Sequence, residues 1–168
     1  MLRLIRNGTL EVNEWCIFDN SSTHLPKDEA NWMVSLATWK DNFQMLSKRK
    51  HPVGILVPPD AEPKDILSII NVSNMIHQPI AFIAIDFPIY TDGRGFSLAQ
   101  ILRTQHGWTG ELRAVGDVLI DTIHYLARCG FDSFLVKEGH DPELALKAFE
   151  TFTVHYQKSY RQPVKILT

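Results

Sequence analysis

A chain of 168 residues, 45% of them hydrophobic, is expected to form a single α/β domain spanning residues 1–168, with a core that needs no disulfide staples. Its formal net charge of −2 sets aside a general nucleic-acid binder, which carries a strong basic excess. With only two cysteines, Cys16 and Cys129, it lacks a disulfide framework, an iron–sulfur cluster or a cysteine-based zinc site, and no apolar run reaches membrane-spanning length.

A reducing, cytoplasmic setting is therefore expected. The first residues are too short and too polar for a signal peptide and read as mature protein. Leu2 to Arg6 and Thr9 to Val12 flank Asn7-Gly8, two residues that tolerate positive φ, which predicts an N-terminal hairpin. Trp15 to Phe18 reads as a buried strand. Asp28 to Ser47 reads as a helix, because Trp32, Leu36, Trp39, Phe43 and Leu46 recur at steps of four and three. That aromatic stripe would face the core or a homodimer partner. The run Lys48-Arg49-Lys50 suits a helix carboxyl end.

From His51 the chain alternates strand and helix. Val53 to Val57 is a short apolar strand, and Pro63 starts a helix through about Met75. The unbroken run Ile80 to Ile85 suits a central parallel strand. A loop follows from Asp86 to Phe96, then a helix from Ser97 to His106 closed by Gly107. Glu111 to Val115 is a strand. Asp117 is the expected N-cap of a helix ending at Cys129, with Gly130 as a left-handed cap and Phe131 packing back on it. Ser133 to Val136 is a further strand. Asp141-Pro142-Glu143 starts a helix with Ala145, Ala148, Phe149, Phe152 and Tyr156 inward, and Val164 to Leu167 reads as a last strand. The fold expected is a mostly parallel sheet of about five βα units, either doubly wound or a partial (β/α) barrel. Both place ligand sites at the carboxyl ends of the strands.

Those strand ends carry Asp60, then Asp86, Asp92 and Arg94, then Gly116 and Asp117, then Lys137, Glu138 and His140. The loop Asp92-Gly93-Arg94-Gly95 leads into a helix amino end, where free N–H groups attract anions, and Arg94 adds a fork suited to oxyanions. Asp92 orients that arginine or acts as a base. The competing reading is a structural turn fixed by an Asp–Arg pair. Arg113, in mid-strand, needs a partner: either it shares the Arg94 site, or it pairs with Asp121 or Glu111. Arg103 and Arg128 read as surface ion-pair partners, and Cys129 as a small buried hydrophobe. No metal site is expected, since His-x-x-x-His and His-Glu-x-x-His are absent; so are a P-loop and a Gly-x-Ser-x-Gly elbow. Gly93-Arg94-Gly95 supplies only two glycines of a dinucleotide fingerprint.

The blocks Phe87-Pro88, Tyr90 to Ser97, Leu102-Arg103, Gly110 to Leu119 and Arg128 to Asp132 resemble the bacterial domain-of-unknown-function family 934. The resemblance is close from about Phe87 to Phe134. Members are commonly labelled probable oxidoreductases of sulfite reduction, which implies a role in assimilatory sulfate or sulfite reduction. Many relatives resemble Tyr-Ser-x-Ala-Arg where this chain has Phe96-Ser97-Leu98-Ala99-Gln100.

Two functions follow as expectations. In the first, Arg94, Gly95, Ser97 and Arg113 hold a small oxyanion or nucleotide phosphate, and Asp92 or Asp117 transfers a proton. The cofactor is unknown, and a redox step would need a flavin, a nicotinamide or a partner's centre. In the second, the chain is a non-catalytic accessory subunit docking on a sulfite- or sulfate-reducing enzyme, with the loop at Asp92 and Arg94 used in recognition.

Overall fold

A computed structural model describes residues 3–19, 24–75 and 80–150. The N-terminal hairpin forms as its sequence dictates: β1 (Arg3–Arg6) and β2 (Thr9–Val12) are joined through Asn7 and Gly8, both at positive φ. Next come β3 (Cys16–Ile17), β4 (Trp32–Ser35), α1 (Leu36–Asp41), α2 (Phe43–Leu46), β5 (Val53–Val57), α3 (Pro63–Met75), β6 (Ile80–Phe87) and α4 (Arg94–Thr104). The rest comprises β7 (Leu112–Gly116), α5 (Ile120–Cys129), β8 (Ser133–Val136) and α6 (Pro142–Lys147), with a 3-10 turn at Ala148–Glu150. Phe152, Tyr156 and the strand expected at Val164 to Leu167 lie outside the described residues.

Among the described residues, eight strands form one mixed sheet in the order β2-β1-β8-β7-β6-β5-β4-β3. The strands β3 to β8 are parallel neighbours in sequence order, and β1 adds antiparallel to β8. The chain is therefore α/β and mostly parallel, but it is not an array of five βα units. Its hairpin belongs to the sheet, and β3 and β4 stand where a buried strand and a helix were expected. Sequential order also leaves no switch point. Right-handed crossovers that always advance the same way put their helices on one face, so the doubly wound alternative does not occur.

The sheet curls toward its helix-free face. Its two edge strands, β2 and β3, are joined by only Asn13, Glu14 and Trp15. That link reaches at most about 14 Å, whereas a flat sheet of this width would hold its edges about 34 Å apart. The strap must therefore cross the inner face. Trp15 lies there with its ring edge-on to Phe82, 4.6 Å between centroids. The larger core, including Ile5, Val34, Ile55, Ile83, Ile85, Leu102, Ala114 and Phe134, fills the space between sheet and helices. A smaller cluster of Met33, Phe82, Ala84 and Val115, backed by Trp15, Leu56 and Leu135, lines the inner face.

Three local expectations are corrected. The helix expected from Asp28 begins only at Leu36, capped by the Ser35 hydroxyl, because Trp32–Ser35 pairs with β5 as a strand. Trp39 is then a core residue at 2% exposure, and its ring meets Phe43 edge-on at 5.8 Å. β3 is an exposed edge of two residues, with Ile17 at 62% exposure. Arg103 is fully buried rather than a surface residue. It donates to the carbonyls of Gly130, Trp108 and Gly110 and pairs with Asp132, whose Oδ2 also accepts the Leu112 N–H at 2.9 Å.

Candidate functional site

Asp92 and Arg94 do meet. Asp92 Oδ1 accepts from the Arg94 backbone N–H at 3.1 Å and from its Nε at 2.9 Å, and Oδ2 lies 2.6 Å from Nη2. The pair is local, and Arg94 keeps 60% of its side chain in solvent. Hydrogen bonds from Arg94 hold the Asp92 carboxyl below its usual range, and Asp92 in turn raises Arg94. A carboxylate of the chain itself thus faces the amino end of α4, where an anion was expected. Gly95 serves packing: a Cβ there would stand 2.6 Å from the Phe87 ring. Ser97 is exposed on α4, and its N–H reaches the Gly93 carbonyl at 3.4 Å.

Arg113 sits elsewhere, on the inner face of β7. Its guanidinium lies 3.7 Å from the Phe82 ring centroid and 5.8 Å from that of Trp15. Nε and Nη2 donate to Glu111 Oε1 at 3.0 and 2.7 Å, and Nε also reaches the Ser133 hydroxyl at 3.3 Å. Burial lowers its pKa, against the pull of Glu111. Glu111 is one of the two partners expected for it. Beside it, Arg6 pairs with Glu11 at 2.5 Å and lies 3.7 Å from Glu111, so charges alternate along the inner face.

Asp117 is not the N-cap of α5; that position belongs to Leu119. Asp117 instead joins two strand ends. Its Oδ2 accepts the Tyr90 N–H at 3.0 Å, and its Oδ1 lies 2.6 Å from Lys137 Nζ. Lys137 and the Tyr90 N–H hold its carboxyl below the usual range.

The residue whose importance the sequence did not single out is Asp86. It closes the buried run of β6, on the inner face beside Val115. A cavity of about 300 Å3 opens there at the carboxyl end of the sheet. Trp15, Ile17, Met33, Leu56, Val115 and Leu135 form its apolar walls, and Asn13, Asp86, Arg113, Lys137 and Glu138 supply its polar groups. Burial pushes the Asp86 carboxyl up, opposed only by the Phe87 N–H. Gly116, at φ +90°, lets this happen: a Cβ there would lie 2.6 Å from Asp86 Oδ1 and 2.5 Å from the Phe87 carbonyl oxygen. The available signal was an acid directly following the six-residue apolar run Ile80 to Ile85.

Each cation lining the cavity already has a carboxylate, Lys137 in Asp117 and Arg113 in Glu111. Neither carboxylate lining it, Asp86 nor Glu138, has a side-chain partner among the described residues. Among those residues no group of three His, Cys, Asp or Glu side chains is placed to hold a metal ion, and no helix is long and apolar enough to cross a membrane.

Fold and site together define a singly wound α/β protein with a cavity at the mouth of a curled sheet. The chain belongs to the family described as "Bacterial protein of unknown function (DUF934)", which matches residues 54–167. Comparisons with curated proteins and with solved structures each gave no match.

Proposed function

We propose that the protein binds a small organic molecule in the mouth of the curled sheet, with Asp86 as the polar group that meets it. The observation that carries this reading is the Asp86 carboxyl: it is raised by burial and lacks a side-chain partner at the rim of an apolar-walled cavity. A group so placed can give or take a proton from a bound molecule, and strand carboxyl ends are where such sites recur. An oxyanion held at Arg94 has less support, because Asp92 already takes its N–H, Nε and Nη2.

The test is a thermal-shift screen of a small-molecule library against wild type, Asp86→Asn and the cavity-filling Leu56→Trp. A ligand that binds the native state raises its melting temperature. Hits shared with an Arg94→Ala variant but lost in the other two are expected. Hits that depend on Arg94 alone, or no hits, would overturn the reading.

A second reading rests on a different observation. Ile89 and Tyr90 are 52% and 51% exposed, on the loop that the Asp92–Arg94 pair fixes. Exposed aromatic and aliphatic side chains on a braced loop suit an accessory subunit docking on a sulfite- or sulfate-reducing enzyme, the setting that the family resemblance implies. Loss of co-sedimentation with such an enzyme in Tyr90→Ala, with the cavity variants unaffected, would favour it.

A further inference from the structure

We propose that the molecule taken up at the mouth of the sheet is a small cation: an ammonium group on an apolar body. This rests on the cavity reading above and adds the sign of the ligand's charge. The argument is one of charge balance. Lys137 and Arg113 bring positive charge to the cavity wall, but Asp117 lies 2.6 Å from the lysine, and Glu111 lies 2.7 Å from the arginine. Their fields are largely spent on those partners. Asp86 and Glu138 line the same cavity, and neither has a side-chain cation among the described residues. An anion entering here would meet two uncompensated carboxylates and no uncompensated cation. An ammonium group would complete the pattern of alternating charge that the rest of the inner face already shows in Glu11, Arg6, Glu111 and Arg113.

The walls fit the rest of such a molecule. Trp15, Met33, Leu56, Val115 and Leu135 bury an apolar body. A volume of about 300 Å3 lies at the small end of ligand pockets, enough for one ring and a short chain. Near Asp86, partial burial strengthens an ion pair that would be weak in open water.

Three probes of one size separate charge from shape: phenethylammonium, 2-phenylethanol and phenylacetate. Affinities are measured by titration calorimetry on the full chain, for wild type, Asp86→Asn and the exposed Glu138→Gln. Phenethylammonium is expected to bind at least ten-fold more tightly than the alcohol, with phenylacetate weakest. Asp86→Asn should abolish that preference, and Glu138→Gln should reduce it. Equal affinity for the ammonium and the alcohol, or tighter binding of phenylacetate, overturns the cation proposal. If none of the three binds while library hits still require Asp86, the cation proposal falls and the cavity reading stands. If no molecule depends on Asp86, both fall.

Discussion

The indole of Trp15 stands edge-on to the ring of Phe82, 4.6 Å between centroids, and this contact carries the strap that closes the helix-free face of the sheet. Trp15 comes from a three-residue link between the two sheet edges, Phe82 from the central strand. Trp15→Ala removes a cavity wall and an aromatic pair at once. Because Trp15 is partly exposed, the expected loss is about 2–3 kcal/mol, below the ~3–5 kcal/mol typical of a buried tryptophan. Urea unfolding measures it. A change within about 0.5 kcal/mol would mean that the strap does not hold the curl.

A second prediction concerns the amino end of the sheet. Arg103, fully buried, ties α4 to the Trp108 and Gly130 carbonyls and to Asp132. Asp132→Ala removes the carboxylate that pairs with that guanidinium and frees the Leu112 N–H. Breaking a buried pair from one side costs about 3–5 kcal/mol, and chemical denaturation should show a loss of that size. The cavity lies at the other end of the strands, so a folded Asp132 variant is expected to keep its ligand affinity.

The two glycines of the Asp92–Gly95 loop should respond differently. Gly93 has φ −71° and nothing within 4 Å of an added Cβ, so Gly93→Ala is expected to be neutral or stabilising by up to about 1 kcal/mol. Gly95→Ala drives a methyl into the Phe87 ring and should cost about 1–3 kcal/mol. Melting temperatures of the two variants check the contrast. A stable Gly95→Ala protein would remove the packing explanation for that glycine.

The pH dependence of stability follows from the directions of the shifts. The folded Asp86 carboxyl titrates above its ordinary value of 3.8, so the folded state holds its proton more tightly than the unfolded chain. Its penalty is absent below 3.8 and grows as pH rises through the folded value. Asp92 and Asp117 are lowered, so their contribution is complete above 3.8 and fades as pH falls through their folded values. Asp86→Asn should therefore stabilise the protein at neutral pH and flatten the decline above pH 3.8, leaving the acid limb intact. Denaturation midpoints measured from pH 3 to 8 would show it. An unchanged slope above 3.8 would place the penalty on another group.

What the sequence made legible was local. The hairpin rested on Asn7-Gly8, α3 began at its proline, and Gly130 at φ 106° closed α5 with the Phe131 N–H reaching the Leu126 carbonyl. Asp141 capped α6 through the Glu143 N–H. What stayed hidden was tertiary. Trp32 to Trp39 has helical spacing, yet pairing with Gly54 to Leu56 recruits its first four residues as a strand, and a periodic pattern cannot see a partner 21 residues away. The buried role of Arg103 depends on three carbonyls from two separate loops. The site shows the same limit. Arg113 and Glu111 are near in sequence and their pairing could be expected; the meeting of Asp86 with Trp15 and Leu135 around one cavity needs a sheet that curls.

The most direct test of the site is a chemical-shift map of the 15N-labelled chain titrated with its best-binding small molecule. The expected result is perturbation of the Trp15 indole N–H and of the amides of Asp86, Val115, Gly116, Leu135 and Glu138, with the amides of Ile89 to Ser97 little changed. Perturbation confined to Ile89 to Ser97, with the Trp15 indole unmoved, would contradict the account and return the site to the Asp92–Arg94 loop.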